Sequence, residues 1–166
     1  MGSANMMSAM KLPDGFTIRR ACEKEIDTLV MHRRSMFRDM GYSDDAALDS
    51  MAAKCKPWLL EKMESGEYLA WLVIDAQGTT AAGAGLWLMD WIPHMIGRSM
   101  KRGNIINVYT EQKFRRLGLA RCLMETIVQW CGKNGIDTII LHASHEGREL
   151  YESMGFGATN EMRIRL

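Results

Sequence analysis

A chain of 166 residues with 47% hydrophobic and 25% charged residues has the length and composition of one globular domain built on a single core. A net charge of +1 supplies no field that would draw it to nucleic acid or an anionic membrane, and no run of about 18 apolar residues could span a bilayer. Cys22, Cys55, Cys122 and Cys131 show neither Cys-x-x-Cys spacing nor paired histidines, which argues against a metal site or a disulfide framework and for reduced thiols in a cytoplasmic protein.

Residues 1–15 read as a flexible leader. Met1 to Met10 lacks the cationic and long apolar segments of a secretory signal, and Gly2-Ser3 could be the remnant of a tag. One domain is expected over 16–166, since no repeat, Pro-rich linker or low-complexity tract interrupts it. Phe16 to Arg20 alternates as a first strand. From Glu23 to Met40, Ile26, Leu29, Val30, Met36, Phe37 and Met40 recur at near-helical spacing, with Gly41 as the stop. Ser43 or Asp44 then caps a second helix, and Pro57 is expected to break or kink it before Gly66.

Tyr68 to Ile74 is a strong strand, Asp75 to Gly78 a turn, and Ala82 to Leu88 its hairpin partner. Because no helical pattern follows Gly83-x-Gly85, these glycines read as space left for a neighbour rather than as a phosphate loop. Asp90 to Gly103 reads as a long loop. Ile105 to Thr110 is a buried strand, followed by a helix with Ala120, Leu123, Met124, Ile127, Val128 and Cys131 on one face. Thr138 to Ala143 reads as a strand, Gly147 to Met154 as a helix, and Met162 to Leu166 as a final strand. The order predicts an α/β chain of α+β type, a mixed sheet flanked by helices.

Between the strand ending at Thr110 and the following helix lie Gly118 and the arginines Arg115, Arg116 and Arg121. A helix start presents unpaired N–H groups and partial positive charge, which suits an anion such as a pyrophosphate, and a glycine lets the backbone approach it. On these grounds the stretch is an anion cradle.

Arg115-x-x-Gly118-x-Ala120 resembles the pyrophosphate-binding signature, Gln/Arg-x-x-Gly-x-Gly/Ala, of the GNAT superfamily of N-acetyltransferases. Downstream, Ser144 followed by Leu150-Tyr151-x-x-x-Gly155-Phe156 resembles that family's late segment. The resemblance implies the GNAT acyl-CoA N-acyltransferase fold and acetyl transfer from acetyl-CoA to an amine by direct attack in a ternary complex, with no metal. It further implies that the amides of Arg116, Leu117, Gly118, Leu119, Ala120 and Arg121 hold the pyrophosphate, with the side chains of Arg115, Arg116 and Arg121 as phosphate partners. Main-chain groups of Val108 and Thr110 would meet the pantetheine, and an N–H of Val108 or Tyr109 the oxyanion. Tyr151 would donate a proton to the departing thiolate. Ser144 stands where many relatives carry asparagine, and it could cap the following helix or bond the cofactor.

The base is less defined. The position where some relatives carry glutamate is Asn104, which takes no proton, leaving Glu111, His142, His94 and Asp90, or water. Met31, Met36, Met40, Trp58, Trp87 and Trp91 are available for an acceptor pocket. Asp39, Asp44, Asp45 and Asp90 could hold a cationic amine. The leading acceptor is a small molecule; a protein or peptide amine, or a CoA-binding sensor without turnover, are the alternatives. Homodimers are common in the family, but nothing in the sequence marks an interface.

Overall fold

The structure, a computed structural model, describes residues 11–166; most of the expected leader, residues 1–10, lies outside the described residues. Five strands form one sheet whose spatial order follows the sequence: β1 (Phe16–Arg20), β2 (Tyr68–Asp75), β3 (Thr80–Asp90), β4 (Lys101–Thr110) and β5 (Ile139–Leu141). Neighbours are antiparallel up to β4, and β4 pairs with β5 in parallel. A parallel neighbour needs a crossover, and helix α3 (Leu119–Lys133) supplies it. Helices α1 (Ile26–Asp39) and α2 (Asp45–Glu64) connect β1 to β2, and the short α4 (Arg148–Ser153) follows β5.

Both faces of the sheet are covered, which is why β2 reads as a continuous apolar run. Its Leu69, Trp71 and Val73 join Leu123, Met124 and Ile127 of α3 in one core. Its Tyr68, Ala70 and Leu72 join Ile26, Leu29 and Val30 of α1 and Leu59 of α2 in the other. Asp44 caps α2 by accepting from the Ala47 N–H at 3.1 Å.

Four expectations are corrected. Pro57 lies inside an uninterrupted α2. Proline removes the N–H that would bond the Ala53 carbonyl, but both residues are exposed, so water can serve that carbonyl, while Trp58 and Leu59 are held by packing. The loop expected over 90–103 shrinks to 91–100, because Asp90 and Lys101 pair across the sheet and form a 2.8 Å ion pair. Met162 to Leu166 forms no strand. The expected strand over 138–143 is itself reduced to three residues, so it offers little ladder, and Met162, Ile164 and Leu166 stay exposed with no apolar surface to cover.

Gly83 and Gly85 leave the space expected of them. A methyl group at Gly85 would lie 1.9 Å from the Tyr68 hydroxyl oxygen, and one at Gly83 2.8 Å from His32 Nδ1. Tyr68 is 1% exposed and packs edge-on to Trp58, so its ring has nowhere to swing. Gly85→Ala should therefore destabilise the fold by about 3 kcal/mol, through overpacking and loss of the hydroxyl's hydrogen bond. Thermal unfolding should record a midpoint lowered by roughly 6–12 °C; an unchanged midpoint would mean that this contact is soft.

Candidate active site

The geometry of the site begins with an irregularity in β4. Gly85 faces Ile106 and Gly83 faces Tyr109, so Asn107 and Val108 stand opposite Ala84 alone. This is a β-bulge, and Asn107 takes the left-handed conformation (φ +57°) that asparagine tolerates better than most residues. On its other edge β4 pairs with β5 only from Gly103 to Ile105. From Ile106 to Thr110 that edge has no strand partner among the described residues.

The bulge turns the Asn107 side chain into the interior. Arginine can only donate, so Asn107 Oδ1 accepts from Arg33 Nη1 at 2.6 Å, and its Nδ2 donates to the Tyr68 hydroxyl at 3.1 Å. Burial pushes the Tyr68 phenol up to about 12, so it remains a neutral partner.

Beyond β4 the chain turns into α3 through two left-handed residues, Arg116 (φ +65°) and Gly118 (φ +77°). Gly118 is the N-cap of α3 and no side chain caps that end, so its first-turn N–H groups are left for another acceptor. Leu119 anchors the helix start in the core, whereas Leu117 is exposed and Ala120 half-buried. The three arginines differ. Arg115 folds back, donating from Nε to the Thr110 carbonyl at 3.1 Å and pairing with Asp39 of α1, whose carboxylate raises its pKa. Arg121 bonds Ser153 of α4. Arg116 is exposed and unpaired among the described residues.

Ser144 Oγ accepts from the Gly147 N–H at 3.1 Å, fixing the turn that leads into α4. On α4, Tyr151 packs edge-on against Phe156, and burial raises its pKa. Its hydroxyl makes no hydrogen bond within the described residues, unlike that of a tyrosine satisfied in a core. His142 is exposed and engaged by Arg163 and Glu161 of the C-terminal segment. His94 accepts from the Ile96 N–H within the 91–100 loop, and Lys101 lowers the pKa of Asp90.

Glu111, at the end of β4, faces a residue that the sequence did not single out. His32 of α1 is 4% exposed, tilts against Tyr109 at 5.2 Å and brings Nε2 to 3.5 Å from Glu111 Oε1, while its Nδ1 has no hydrogen-bond partner among the described residues. Burial holds its imidazole down at about 4, so it is neutral near pH 7.

A cavity of about 710 Å³ lies between α1, α2 and the outer halves of β3 and β4. Trp58, Trp87 and Ile106 form apolar wall, and Arg33, Lys54 and Asn104 bring polar groups to it. Asn104 is buried, and its side-chain oxygen has no hydrogen-bond partner among the described residues. Of the residues expected to form a pocket, Trp58 and Trp87 do so. Met31 and Met40 are largely exposed, and Trp91 stacks under Arg102 at 3.7 Å. The carboxylates considered for a cationic amine are engaged elsewhere: Asp39 with Arg115, Asp44 as a helix cap, Asp45 with Arg34 and Arg38, and Asp90 with Lys101. Arg33 was detectable in principle. It continues the Ile26, Leu29, Val30 stripe of α1, so a cation was spaced to face the core.

An uncapped helix start beside a parted sheet suits an anion, and comparison with known proteins gives the class: an N-acetyltransferase, of a family whose donor is acetyl-CoA. Residues 32–156 match the model of the Acetyltransferase (GNAT) family, and the chain belongs to that family. A GCN5-related N-acetyltransferase from Ralstonia eutropha JMP134 is 32% identical with a TM-score of 0.86, over 92% of this chain and 99% of that one. A predicted acetyltransferase from Clostridium acetobutylicum, solved with acetyl-CoA, is 24% identical with a TM-score of 0.83, over 91% and 96% of the two chains. An aminoglycoside acetyltransferase from an uncultured soil metagenomic sample is 18% identical with a TM-score of 0.64, over 91% and 98%; these last two show likeness of fold alone. None of the curated proteins matches the chain. Among the described residues no helix is long and apolar enough to cross a membrane, and no cluster of three or more His, Cys, Asp or Glu could hold a metal ion.

The low pKa of His32 makes a pH prediction. Its folded value of about 4 lies below the ordinary 6.5, so in that interval the unfolded chain binds the proton and the folded one does not. The stability that neutral His32 contributes is complete above about 6.5 and is lost as the pH falls towards 4. The loss should approach about 3 kcal/mol, less whatever the Glu111 carboxylate returns to the imidazolium. Urea unfolding between pH 7 and 4 should show this slope and His32→Gln should flatten it; equal slopes would place the titration elsewhere.

Proposed function

We propose that the protein transfers the acetyl group of acetyl-CoA to the primary amine of a small molecule, by direct attack while both are bound. One observation carries this reading: Ile106 and Asn107 stand both in the cavity wall and at the first rungs of β4 left unpaired by β5. A donor lying along that open edge would thus be next to an acceptor in the cavity. A cavity of about 710 Å³ suits a small molecule.

The residues fit the donor. The open edge of β4 offers main-chain groups of Val108 and Thr110 to the amides of a pantetheine arm, as though a short strand were added. The uncapped start of α3, with the amides of Arg116 to Arg121, suits the pyrophosphate, and exposed Arg116 can add a charge-assisted contact. In this reading Arg115 shapes the loop rather than binding phosphate, because Asp39 and the Thr110 carbonyl already hold it.

Acetyl-CoA, when bound, supplies an acetyl group activated as a thioester. The protein's part is to orient and to move protons. A backbone N–H of Val108 or Tyr109 donates to the carbonyl oxygen as negative charge gathers there. The Tyr151 hydroxyl, protonated and unengaged by other side chains, donates to the thiolate sulfur. Ser144 sets the turn that carries Tyr151 and keeps its own hydroxyl hydrogen for the cofactor. Neither Glu111 nor His142 lines the cavity, so we assign the amine's proton to water in the cleft rather than to either side chain.

Titration calorimetry should record binding of acetyl-CoA and CoA but not of ATP, and thiol release should follow when an acceptor is added. Absence of binding would refute the assignment. Tyr151→Phe should lower kcat by about 100-fold or more while leaving acetyl-CoA affinity within a few-fold; undiminished turnover would reduce Tyr151 to a packing role. Gly118→Val should weaken acetyl-CoA binding, since a β-branched residue is strained at φ +77° and obstructs the helix start. Unchanged affinity in the folded variant would remove α3 from the cofactor site.

A further inference from the structure

The cations of α1 and α2 fall into two groups. Arg34 pairs with Asp45 and Asp49, Arg38 with Asp45, Lys56 with Asp27, and Lys62 with Glu67. Arg33 and Lys54, from the same two helices, have no carboxylate partner among the described residues, and both line the cavity. Arg33 is half-buried, its guanidinium lies over the Phe37 ring at 4.9 Å, and among the described residues only Nη1 of its hydrogen-bonding edge is engaged, by the neutral Asn107 amide. A guanidinium withdrawn from water without a counter-ion is costly, and an anion entering the cavity relieves that cost. No aspartate or glutamate lines this cavity, so nothing in its wall would attract a substrate by positive charge alone.

We propose that the acceptor is an amine that also bears a carboxylate, on an apolar body, as in an amino acid with an apolar side chain. The carboxylate meets Arg33, whose planar fork matches two carboxylate oxygens, with Lys54 at the exposed rim adding charge. The apolar body lies against Trp58, Trp87 and Met51. The amine end then lies towards the β4 wall of the cavity, where Asn104 stands on the strand that also carries the bulge. A carboxylate is favoured over a phosphate because one half-buried guanidinium, with one nitrogen already engaged, matches a monoanion. This inference rests on the reading of the cavity as the acceptor site, and it inverts the expectation that carboxylates would hold a cationic amine.

The test uses the full-length enzyme. Leucine, methionine, phenylalanine and tryptophan are each compared with their primary amides and decarboxylated amines, and phenylalanine also with its aminophosphonic acid analogue. Binding is measured by calorimetry in the presence of CoA, which cannot react, and kcat/KM by thiol release from acetyl-CoA. At least one free amino acid should be favoured by about tenfold or more over its amide and its decarboxylated amine in both assays. That preference should fall by about tenfold in Arg33→Gln and by less in Lys54→Gln; the second, at an exposed position, carries the test if the first does not fold. Preference for neutral or decarboxylated amines, or a preference that survives in every folded variant, overturns the inference while leaving the acetyltransferase reading intact. Preference for the phosphonate overturns the carboxylate assignment. Failure of CoA itself to bind overturns both readings.

Discussion

The site depends on a hydrogen-bonded chain, Arg33 to Asn107 to Tyr68, that ends in the space left by Gly85. Each member constrains the next. Arginine can only donate, which orients the Asn107 amide. One hydrogen of the amide nitrogen goes to a phenol too deeply buried to find water. The phenol fits only because β3 has no side chain at that point. The chain joins α1, β2 and β4 over β3, and it holds Asn107 in the backbone conformation that makes the bulge. Register, helix placement and the parting of the sheet are therefore one problem in packing.

Around this chain the two faces of the sheet divide the work. Beneath α3 the core is built from apolar side chains such as Leu69, Trp71, Leu123 and Ile127, packed as tightly as the β2 pattern suggests. Towards α1 and α2 the interior admits polar groups: His32, Asn104 and Asn107 are all buried, two of them with an atom lacking a partner. Such groups cost stability unless satisfied, and these three stand around the cavity and the bulge; the α3 side buries one charged residue of its own, Glu125. One face holds the fold, and the other gives up some of its stability to present donors and acceptors.

What was legible in the sequence was what is local. The period-3.6 stripe of α3, the dense strand β2 and the Gly118 turn are all written in neighbouring residues, and they appear as read except that Val128, expected on the apolar face of α3, is exposed. The bulge was not legible, because it is a mismatch of count between β3 and β4 and belongs to neither strand alone. Pro57 does not break α2, because the packing of Leu59 and Trp58 overrides its breaking propensity and belongs to the fold rather than to the local sequence. The alternation of Met162 to Leu166 gives no strand for the opposite reason: a strand needs a neighbouring ladder, and β5 is three residues long. Arg33 is marked by its place on the apolar stripe of α1, but Lys54 stands out only when its carboxylate-paired neighbours are known, which takes coordinates.

The parting of β4 from β5 has a thermodynamic consequence. From Ile106 to Thr110 one side of an interior strand has no strand beside it among the described residues. Molecules that supply the missing rungs bind the folded form and not the unfolded one, so the population of folded protein is linked to their concentration. Lifetime against heat or proteolysis then becomes a readout of how much of that molecule surrounds the protein. Residues far from the cleft would share in the protection, since the sheet they belong to would be complete.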